Sequence, residues 1–339
     1  MLRALTLTAV MFAALPGGAM GASAFLTNED GTPCNTPADN CFLTYSAEPG
    51  ETNNVQATKL GDIVTIVDTG ATITAESGCT SVSPQEVTCG SAAAAFLGLG
   101  DLDDTVLISS GTNWIVRGDA GNDQITLCMA CRAFSLSGGL GDDTIRGGNG
   151  DDLLMGGAGN DTLVSGIGRD ELSPGEGKDA VAGGSGRDTV SYEGFTNHAV
   201  VADLRTGTVT GPGTDSLESI EDFVGTRFDD RITGNSGANV LAGLGGEDLL
   251  VGKAGVDLLV GGPHDDRLFG EAGPDRLRGE GGADLLVGGP DRDTLFAGPG
   301  TDTLLARDSV RDLLRGQRGV DRARVDAGLD RSLEIELFF

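Results

Sequence analysis

Aspartate residues recur at a fixed nine-residue interval in two stretches of the chain. Residues 138–191 form six blocks with the plan G-G-x-G-x-D-x-U-x, in which U is a large aliphatic residue. Residues 225–305 form nine further blocks with the same plan. Carboxylates at one repeated position, next to turn carbonyls, provide the hard oxygen ligands that Ca²⁺ prefers. The spacing therefore predicts a row of metal sites.

The candidate ligands are the sixth residues of these blocks, where Asn239 is the one departure from Asp. Two looser copies precede the first stretch and contribute one Asp each. The predicted metal ligands are Asp104, Asp123, Asp143, Asp152, Asp161, Asp170, Asp179, Asp188, Asp230, Asp248, Asp257, Asp266, Asp275, Asp284, Asp293 and Asp302.

The repeat also predicts the elements that position these carboxylates. The last three residues of a block are extended, and the Gly-rich remainder forms a turn because Gly adopts positive φ at no steric cost. Two blocks then make one coil, and equivalent residues stack about 4.8 Å apart. A fixed period of this length is typical of a solenoid. The aliphatic residues form a thin interior column, and we expect the Asp side chains along both outer edges.

Stacked carboxylates create an electrostatic problem that a cation solves. Unit charges about 5 Å apart repel by roughly 1 kcal/mol even in water. One aliphatic residue per block contributes only about 1.5–3 kcal/mol at full burial, which offsets little of the total repulsion. A divalent cation between successive turns removes the repulsion. We therefore expect a fold that is weak or absent without metal.

The blocks GGLGDDTIR, GGNGDDLLM and GGAGNDTLV resemble the calcium-binding nonapeptide repeats of the RTX (repeats-in-toxin, hemolysin-type) family. The resemblance implies a parallel β-roll with multiple Ca²⁺ ions held by the sixth-position Asp and by backbone carbonyls. It implies no catalytic activity, because such repeats accompany proteases, lipases, toxins and proteins without an enzyme. We predict an all-β chain, a parallel β-roll or β-helix solenoid with an N-terminal β cap.

Composition restricts the partners of this 339-residue chain. Its formal net charge is -28, and aromatic residues make up only 4%. Strong acidity argues against a nucleic-acid partner, whose phosphates would be repelled, and favours cations. The alternative is that the acidity only aids solubility. No segment is long and apolar enough to predict a membrane span.

The N-terminus has the features of a secretory signal peptide. A short basic start is followed by an apolar run over residues 4–15 and by Ala-Ser-Ala at 22–24. The predicted cleavage follows Ala24, so a secreted, extracellular chain would begin at Phe25. The six Cys of an exported chain favour disulfides, and sequence proximity pairs Cys34 with Cys41, Cys79 with Cys89, and Cys128 with Cys131. The alternative for the C-x-x-C motif at Cys128 is a redox or zinc site.

The predicted organisation has six segments. They are a signal peptide (1–24), an N-terminal β-rich capping region (25–116), a first ladder (117–191) with a loop insertion (127–137), a β connecting segment (192–224), a second ladder (225–305), and degenerate repeats with a C-terminal cap (306–339). Two alternatives stay open. Residues 41–116 are compatible with an independent small sandwich, and residues 192–224 with a flexible linker between two rolls.

The second stretch departs from the plan at several turns. Phe228, His264 and Asp291 replace the fourth-position Gly, where a side chain with positive φ costs about 1 kcal/mol or more. We expect weaker or missing sites at these turns and at Asn239. By the same reasoning, Asp152→Ala is expected to reduce Ca²⁺ uptake more than Asn239→Ala.

The motifs of common secreted enzymes are absent from the sequence. There is no H-E-x-x-H, no G-x-S-x-G, and no phosphate-binding loop. The sequence favours a non-catalytic protein with a structural, surface-associated or adhesive role and an unknown cell-surface or matrix partner. The alternative is a secreted hydrolase or toxin with an unrecognised active region in 41–116 or 192–224. Seven Arg within 307–331 predict a polar C-terminal cap, or else a basic docking site for an anionic surface.

Overall fold

The computed structural model describes residues 22–27, 41–61, 63–75, 79–90, 92–195, 197–211, 213–306, 308–326 and 329–338. Within these ranges the chain is all-β, as the repeats predict, and contains no helix. It follows that no helix in these ranges is able to cross a membrane. Most of the predicted signal peptide lies outside the described residues. Its last three residues belong to the first strand.

The chain forms 35 strands in the described ranges. The N-terminal strands are β1 (Ala22–Thr27), β2 (Cys41–Ser46), β3 (Asn54–Leu60), β4 (Ile63–Asp68), β5 (Ile73–Ala75), β6 (Cys79–Ser83), β7 (Glu86–Gly90), β8 (Ala92–Gly98) and β9 (Thr105–Ile108). The strands of the first ladder are β10 (Thr112–Ala120), β11 (Gln124–Leu127), β12 (Arg132–Leu140), β13 (Thr144–Asn149), β14 (Leu153–Ala158), β15 (Thr162–Gly168), β16 (Glu171–Glu176), β17 (Ala180–Gly186) and β18 (Thr189–Ser191).

The remaining strands run to the C-terminus. The connecting segment contains β19 (Val201–Asp203), β20 (Thr208–Thr210), β21 (Thr214–Glu218) and β22 (Asp222–Val224). The second ladder and its extension contain β23 (Arg231–Thr233), β24 (Val240–Ala242), β25 (Leu249–Ala254), β26 (Leu258–Pro263), β27 (Arg267–Ala272), β28 (Arg276–Gly281), β29 (Leu285–Val287), β30 (Thr294–Phe296), β31 (Thr303–Ala306), β32 (Leu313–Arg315), β33 (Arg322–Val325), β34 (Arg331–Leu333) and β35 (Leu337–Phe338).

Two sheets form the walls of a parallel β-solenoid of about 13 turns, which confirms the predicted fold class. Successive strands alternate between the sheets, so β12, β14 and β16 pair in the first sheet and β11, β13 and β15 in the second. Leu154 faces Leu172, and Leu163 faces Val181. Partners are thus 18 residues apart, which is two blocks. The nine-residue period sets the register directly, because each coil returns the chain to its own edge.

The eighth residue of each block points inward and is buried, while its neighbours on either side are half-buried or exposed. This alternation follows from the two-residue period of a strand. The interior column of the first sheet contains Leu136, Leu154, Leu172, Val190, Phe223, Leu241, Leu259, Leu277, Leu295 and Leu314. The column of the second sheet contains Ile125, Ile145, Leu163, Val181, Leu217, Ile232, Leu250, Leu268, Leu286 and Leu304.

Of residues 127–137, for which the sequence predicts a loop insertion, only 128–131 lie between strands. Arg132–Leu140 forms β12, which pairs with both β10 and β14, and Leu136 is fully buried in the interior column. The equivalent residues Asp123 and Asp143 are 20 positions apart, so this coil is only two residues longer than the regular 18-residue coil. The extra residues lie in the turn between β11 and β12. A Cys128–Cys131 disulfide closes this turn.

The segment between the ladders continues both sheets. β22 pairs with β18 on one side and with β24 on the other. In the second sheet, β17 pairs with β21 and β19 pairs with β23, and the short strand β20 joins β19 and β21 in antiparallel pairs. The chain therefore inserts a small set of antiparallel strands between parallel strands of the two ladders, and the two ladders share both sheets.

The N-terminal strands also join these sheets. β8 pairs with β10, and β9 pairs with β11, so the walls extend into 41–116 without a break between separate sheets. Antiparallel strands β4, β7 and β6 follow at the end of the second sheet, where Cys79 and Cys89 form a disulfide. The capping role of this region stays a prediction. The predicted pair of Cys34 with Cys41 lies outside the described residues, because Cys34 and the side chain of Cys41 are not described.

Because the interior column is one side chain wide, adjacent leucines should differ sharply in how much their substitution by Ala destabilises the protein. Leu259 is fully buried, whereas Leu258 points outward and is half-buried. We expect Leu259→Ala to lower the free energy of unfolding of the calcium-loaded protein by about 2–5 kcal/mol. Leu258→Ala is the matched control and is expected to cost less than about 1 kcal/mol, in the range of most surface changes. Urea unfolding measures both, and equal losses would contradict the assigned inward face.

Candidate metal centre

Each repeat Asp is the last residue of a turn and directly precedes a strand. Asp161 precedes β15 and is 1% exposed, and Asp266 precedes β27 with the same exposure. The Asp side chains therefore stack in the turns at the edges of the coil, and they are buried there. The Gly-rich turn wraps around the carboxylate, so the negative charge is buried within the edge of the coil.

One oxygen of each carboxylate bonds to the preceding coil. The backbone N–H of Asp143 donates to Oδ1 of Asp161 at 2.8 Å, and the N–H of Asp161 donates to Oδ1 of Asp179 at 2.8 Å. The second ladder repeats this bond from Asp230 to Asp248, Asp266, Asp284 and Asp302 in turn. These hydrogen bonds connect consecutive coils through a charged acceptor, which makes them stronger than neutral ones.

The other oxygen, Oδ2, has no hydrogen-bond partner and is buried. This holds for Asp104, Asp123, Asp143, Asp161, Asp170, Asp179, Asp188, Asp248, Asp257, Asp266, Asp275, Asp284, Asp293 and Asp302. Leaving a neutral polar group buried without a hydrogen bond costs about 1–3 kcal/mol of folding free energy, and a charged oxygen costs more. A row of such atoms on one edge position therefore indicates a ligand that the polypeptide itself does not provide.

The atoms around Oδ2 fit a calcium ion. A methyl group built at Gly156 would overlap Oδ2 of Asp161 and the carbonyl oxygen of Pro174 in the next coil. At Gly270 the same overlap involves Oδ2 of Asp275 and the carbonyl oxygen of Gly288. The first-position Gly thus leaves room for a carboxylate oxygen and a carbonyl oxygen from two coils. This all-oxygen set matches the coordination chemistry of Ca²⁺.

Side chains alone do not form these sites. The described residues contain no group of three or more His, Cys, Asp or Glu side chains that could hold a metal ion. An ion at a repeat turn would therefore take most of its ligands from backbone carbonyls. This is why the turn conformation, and not only the Asp, decides whether a site exists.

Burial shifts the acidity of these carboxyl groups. Desolvation, with smaller contributions from neighbouring carboxylates, raises the pKa of Asp266 to about 8 and that of Asp248 and Asp302 to about 7. The same cause raises the pKa of Asp161 and Asp284 to about 6, against the hydrogen bond from the preceding coil, which lowers it. The folded chain without metal therefore holds protons on these groups that a bound cation would displace.

A model of the RTX calcium-binding nonapeptide repeat matches residues 137–172, 155–190, 224–259, 243–277, 260–295 and 269–304. These stretches are RTX calcium-binding repeats. The matches cover 137–190 of the predicted first ladder (117–191) and 224–304 around the second (225–305). The repeats in a β-solenoid fit a calcium-binding β-roll protein. No curated protein matches the chain.

Two RTX positions have their polar atoms satisfied by the protein. Oδ1 of Asp230 accepts the N–H of Val200 at 2.7 Å, and Oδ2 accepts the N–H of Thr226. The side-chain amide of Asn239 donates to the carbonyl oxygen of Glu221 at 2.6 Å. Asp230 therefore differs from the other predicted ligands, because neither of its oxygens lacks a partner.

The expected strain at irregular RTX turns occurs at only one of three residues. His264 has a φ of 92°, in the left-handed region. Phe228 and Asp291 are not among the residues with positive φ, so strain at these two turns is a wrong prediction. Asp291 instead accepts the N–H of Gly273 at 2.9 Å, across one coil. The turn changes its path to fit the side chain.

Sequence reasoning missed two carboxylates beyond the matched repeats. Oδ1 of Asp312 accepts the N–H of Asp293 at 2.8 Å, and Oδ1 of Asp321 accepts the N–H of Asp302 at 3.1 Å. The Oδ2 atoms of both are buried and have no partner. The sequence does show their nine-residue interval after a one-residue slip in register. Because the glycines fade there, it predicts only degenerate repeats for this segment.

Removing a repeat side chain should lower the number of bound Ca²⁺ ions only where its Oδ2 lacks a hydrogen-bond donor. We expect Asp266→Ala to reduce the number of Ca²⁺ ions bound by the full chain, because it removes a buried charged ligand. Asn239→Ala is the matched control in the same ladder and should leave the number unchanged. Equilibrium dialysis with calcium measures both, and equal losses would contradict the assignment of ligands.

The raised pKa values give opposite pH dependences with and without calcium. Without metal, the folded carboxyls bind protons that the unfolded chain, with a pKa near 3.9, releases, so their stabilising contribution is lost as pH rises through about 6 to about 8. With calcium, protons compete with the ion, so stability falls as pH falls. Thermal unfolding by circular dichroism at about pH 5 and about pH 8, with calcium or chelator, tests this. Parallel trends in the two conditions would contradict it.

Proposed function

We propose that this chain is a secreted, non-catalytic protein whose solenoid folds when it binds calcium outside the cell. The observation that carries the proposal is the row of buried Oδ2 atoms without partners in both ladders. Extracellular Ca²⁺ sites work at about 10⁻⁴–10⁻³ M. Binding and folding are then one linked equilibrium, because the ligands from two coils come together only in the folded chain.

Export before folding would follow from this linkage. At the low calcium concentration inside a cell, burying carboxylates without a cation is costly, and the chain would stay unfolded or loosely folded. Outside the cell, calcium supplies the missing partner of each Oδ2. Two disulfides within the described residues, Cys79 with Cys89 and Cys128 with Cys131, are consistent with an oxidising extracellular environment.

A surface-associated or adhesive role is supported by one basic face near the C-terminus. On the outer side of the first sheet, Arg278 and Arg315 are exposed and flank the half-buried Phe296 in adjacent strands. Arg276 and Arg331 are exposed in the neighbouring row of the same face. Arg315 pairs with Glu334 at 3.0 Å. In a chain with a net charge of -28, this face would favour an anionic cell surface or matrix.

A calcium titration tests the proposed linkage. We expect chelator-treated protein to lose much of its β signal in far-ultraviolet circular dichroism and to regain it on adding about 10⁻⁴–10⁻³ M Ca²⁺. Mg²⁺ is the control and should restore little, because it is smaller and gives up its water reluctantly. A full β signal and an unchanged melting temperature in chelator would refute the proposal.

The non-catalytic part of the proposal needs its own measurement. The secreted, calcium-loaded protein would be screened for esterase, protease and glycosidase activity. We expect no turnover above that of a mock preparation. Reproducible turnover that one substitution outside the ladders abolishes would refute this part alone.

A further inference from the structure

The series of buried Oδ2 atoms without a hydrogen-bond donor is interrupted in the middle of the solenoid. Buried Oδ2 atoms that lack a hydrogen bond occur up to Asp188 and again from Asp248. Between them, among the described residues, no buried side-chain oxygen or nitrogen lacks a partner. We call residues 189–242, which contain β18 to β24, the central block.

A tyrosine hydroxyl bonds to the second oxygen of a buried carboxylate in the central block. Tyr192 is 1% exposed, and its hydroxyl donates to Oδ2 of Asp215 at 2.7 Å. Oδ1 of Asp215 accepts the N–H of Asp179 at 2.9 Å, as in a repeat coil. Asp215 thus has the same bond to the preceding coil as the ladder aspartates, but its second oxygen is bonded to a proton donor of the protein.

Other donors satisfy the remaining acceptors of the block. The N–H of Thr226 donates to Oδ2 of Asp230, and the amide of Asn239 donates to a backbone carbonyl. The guanidinium of Arg187 donates to both oxygens of Asp222 at 2.7 Å. The charges here are neutralised or hydrogen-bonded without an added ion.

The interior of the block is also larger than that of the ladders. The ring of Tyr192 stacks on Phe195 at 5.2 Å and on Phe223 at 5.3 Å between ring centroids. Val200 and Val209 are buried beside the inserted antiparallel strands. Three aromatic rings bury far more apolar area than the single aliphatic residue of a repeat, so packing contributes more here.

The same construction occurs once more, near the N-terminus. The hydroxyl of Tyr45 donates to Oδ2 of Asp68 at 2.6 Å, and both residues are fully buried. The Tyr and the Asp are 23 residues apart in both cases. The two tyrosines of the chain therefore make equivalent contacts, each next to a ladder of carboxylates whose Oδ2 atoms have no donor.

We propose that the central block is a calcium-independent joint, in which the Tyr192 hydroxyl replaces a metal ion at Asp215 and keeps the block folded when the ladders are not. The inference rests on the proposed calcium-dependent folding of the ladders. The folded block presents β18 and β21 to the first ladder and β23 and β24 to the second. Coils can then add on both sides as calcium arrives, because a solenoid propagates from any formed repeat.

Hydrogen exchange followed by mass spectrometry tests the joint in the full chain. In chelator, we expect slow exchange in peptides of the central block and fast exchange in peptides of the ladders outside it, from residues 117–188 and 243–305. In calcium, all three should exchange slowly. Slow exchange of the ladders in chelator would refute the proposed function, whereas fast exchange of the block beside calcium-responsive ladders would overturn the joint alone.

Tyr192→Phe tests the substitution of hydroxyl for ion. It leaves Oδ2 of Asp215 buried without a donor, like the ladder carboxylates, and should speed exchange of the block in chelator by roughly 10- to 100-fold. Calcium should reverse this loss by binding the freed carboxylate. Unchanged exchange in chelator, or a loss that calcium does not reverse, would overturn the assignment.

Two further variants distinguish the loss of the Tyr192–Asp215 hydrogen bond from nonspecific destabilisation. Tyr45→Phe removes the equivalent hydroxyl at the N-terminal site and should leave exchange of the central block unchanged. Adding Asp215→Asn to Tyr192→Phe removes the stranded charge, as Asn239 does naturally, and should recover most of the slow exchange in chelator. If the central block of the double variant exchanges as fast in chelator as that of Tyr192→Phe, the unpaired charge of Asp215 is not the cause of the destabilisation.

Discussion

A buried carboxylate with one bonded and one unbonded oxygen is the interaction on which this solenoid depends. Oδ1 accepts the N–H of the preceding coil and so fixes the register between coils, as between Asp248 and Asp266. Oδ2 of Asp266 lies in the turn beside the first-position Gly, where the protein provides no donor, and most ladder turns repeat this arrangement. Because the two oxygens belong to one group, the bond that orders the coils also buries the charge that needs a cation. Register and metal dependence therefore have the same origin.

The narrow interior follows from the same nine-residue plan. A block provides one inward side chain, such as Leu250 or Leu259, and the Gly-rich turn leaves no space for a second layer. Hydrophobic burial per residue is then small compared with that of an ordinary domain, in which surplus stability is itself only about 5–15 kcal/mol. Between the ladders the nine-residue repeat is absent. There, aromatic rings pack in the interior and hydrogen-bond donors bond to the carboxylates. Packing and metal binding thus alternate along the axis as sources of stability.

The sequence predicts most of the fold because one period determines both strand register and the inward column. It predicts less where the period slips. Asp312 and Asp321 are not predicted as ligands, because the register slips by one residue and the glycines fade there. Residues 127–137 predict a loop, because Phe134 stands where an Asp is expected. The bond between Tyr192 and Asp215 follows no multiple of nine and depends on the inserted antiparallel strands. The burial of the carboxylates was not predictable either, since spacing does not reveal how a Gly-rich turn folds around a side chain.

The number of aspartates consequently does not equal the number of calcium ions. Three kinds of side chain occur at equivalent positions of the coil. Asp266 has an Oδ2 without a hydrogen-bond donor, Asp215 has an Oδ2 bonded to a hydroxyl, and Asn239 has an amide in place of the carboxylate. Asp266 and Asp215 accept a backbone N–H of the preceding coil through Oδ1, from Asp248 and Asp179 respectively. Asn239 instead donates its side-chain amide to the carbonyl oxygen of Glu221 in that coil. The choice among ion, hydroxyl and amide therefore changes the metal dependence of one coil while leaving the register of the solenoid intact.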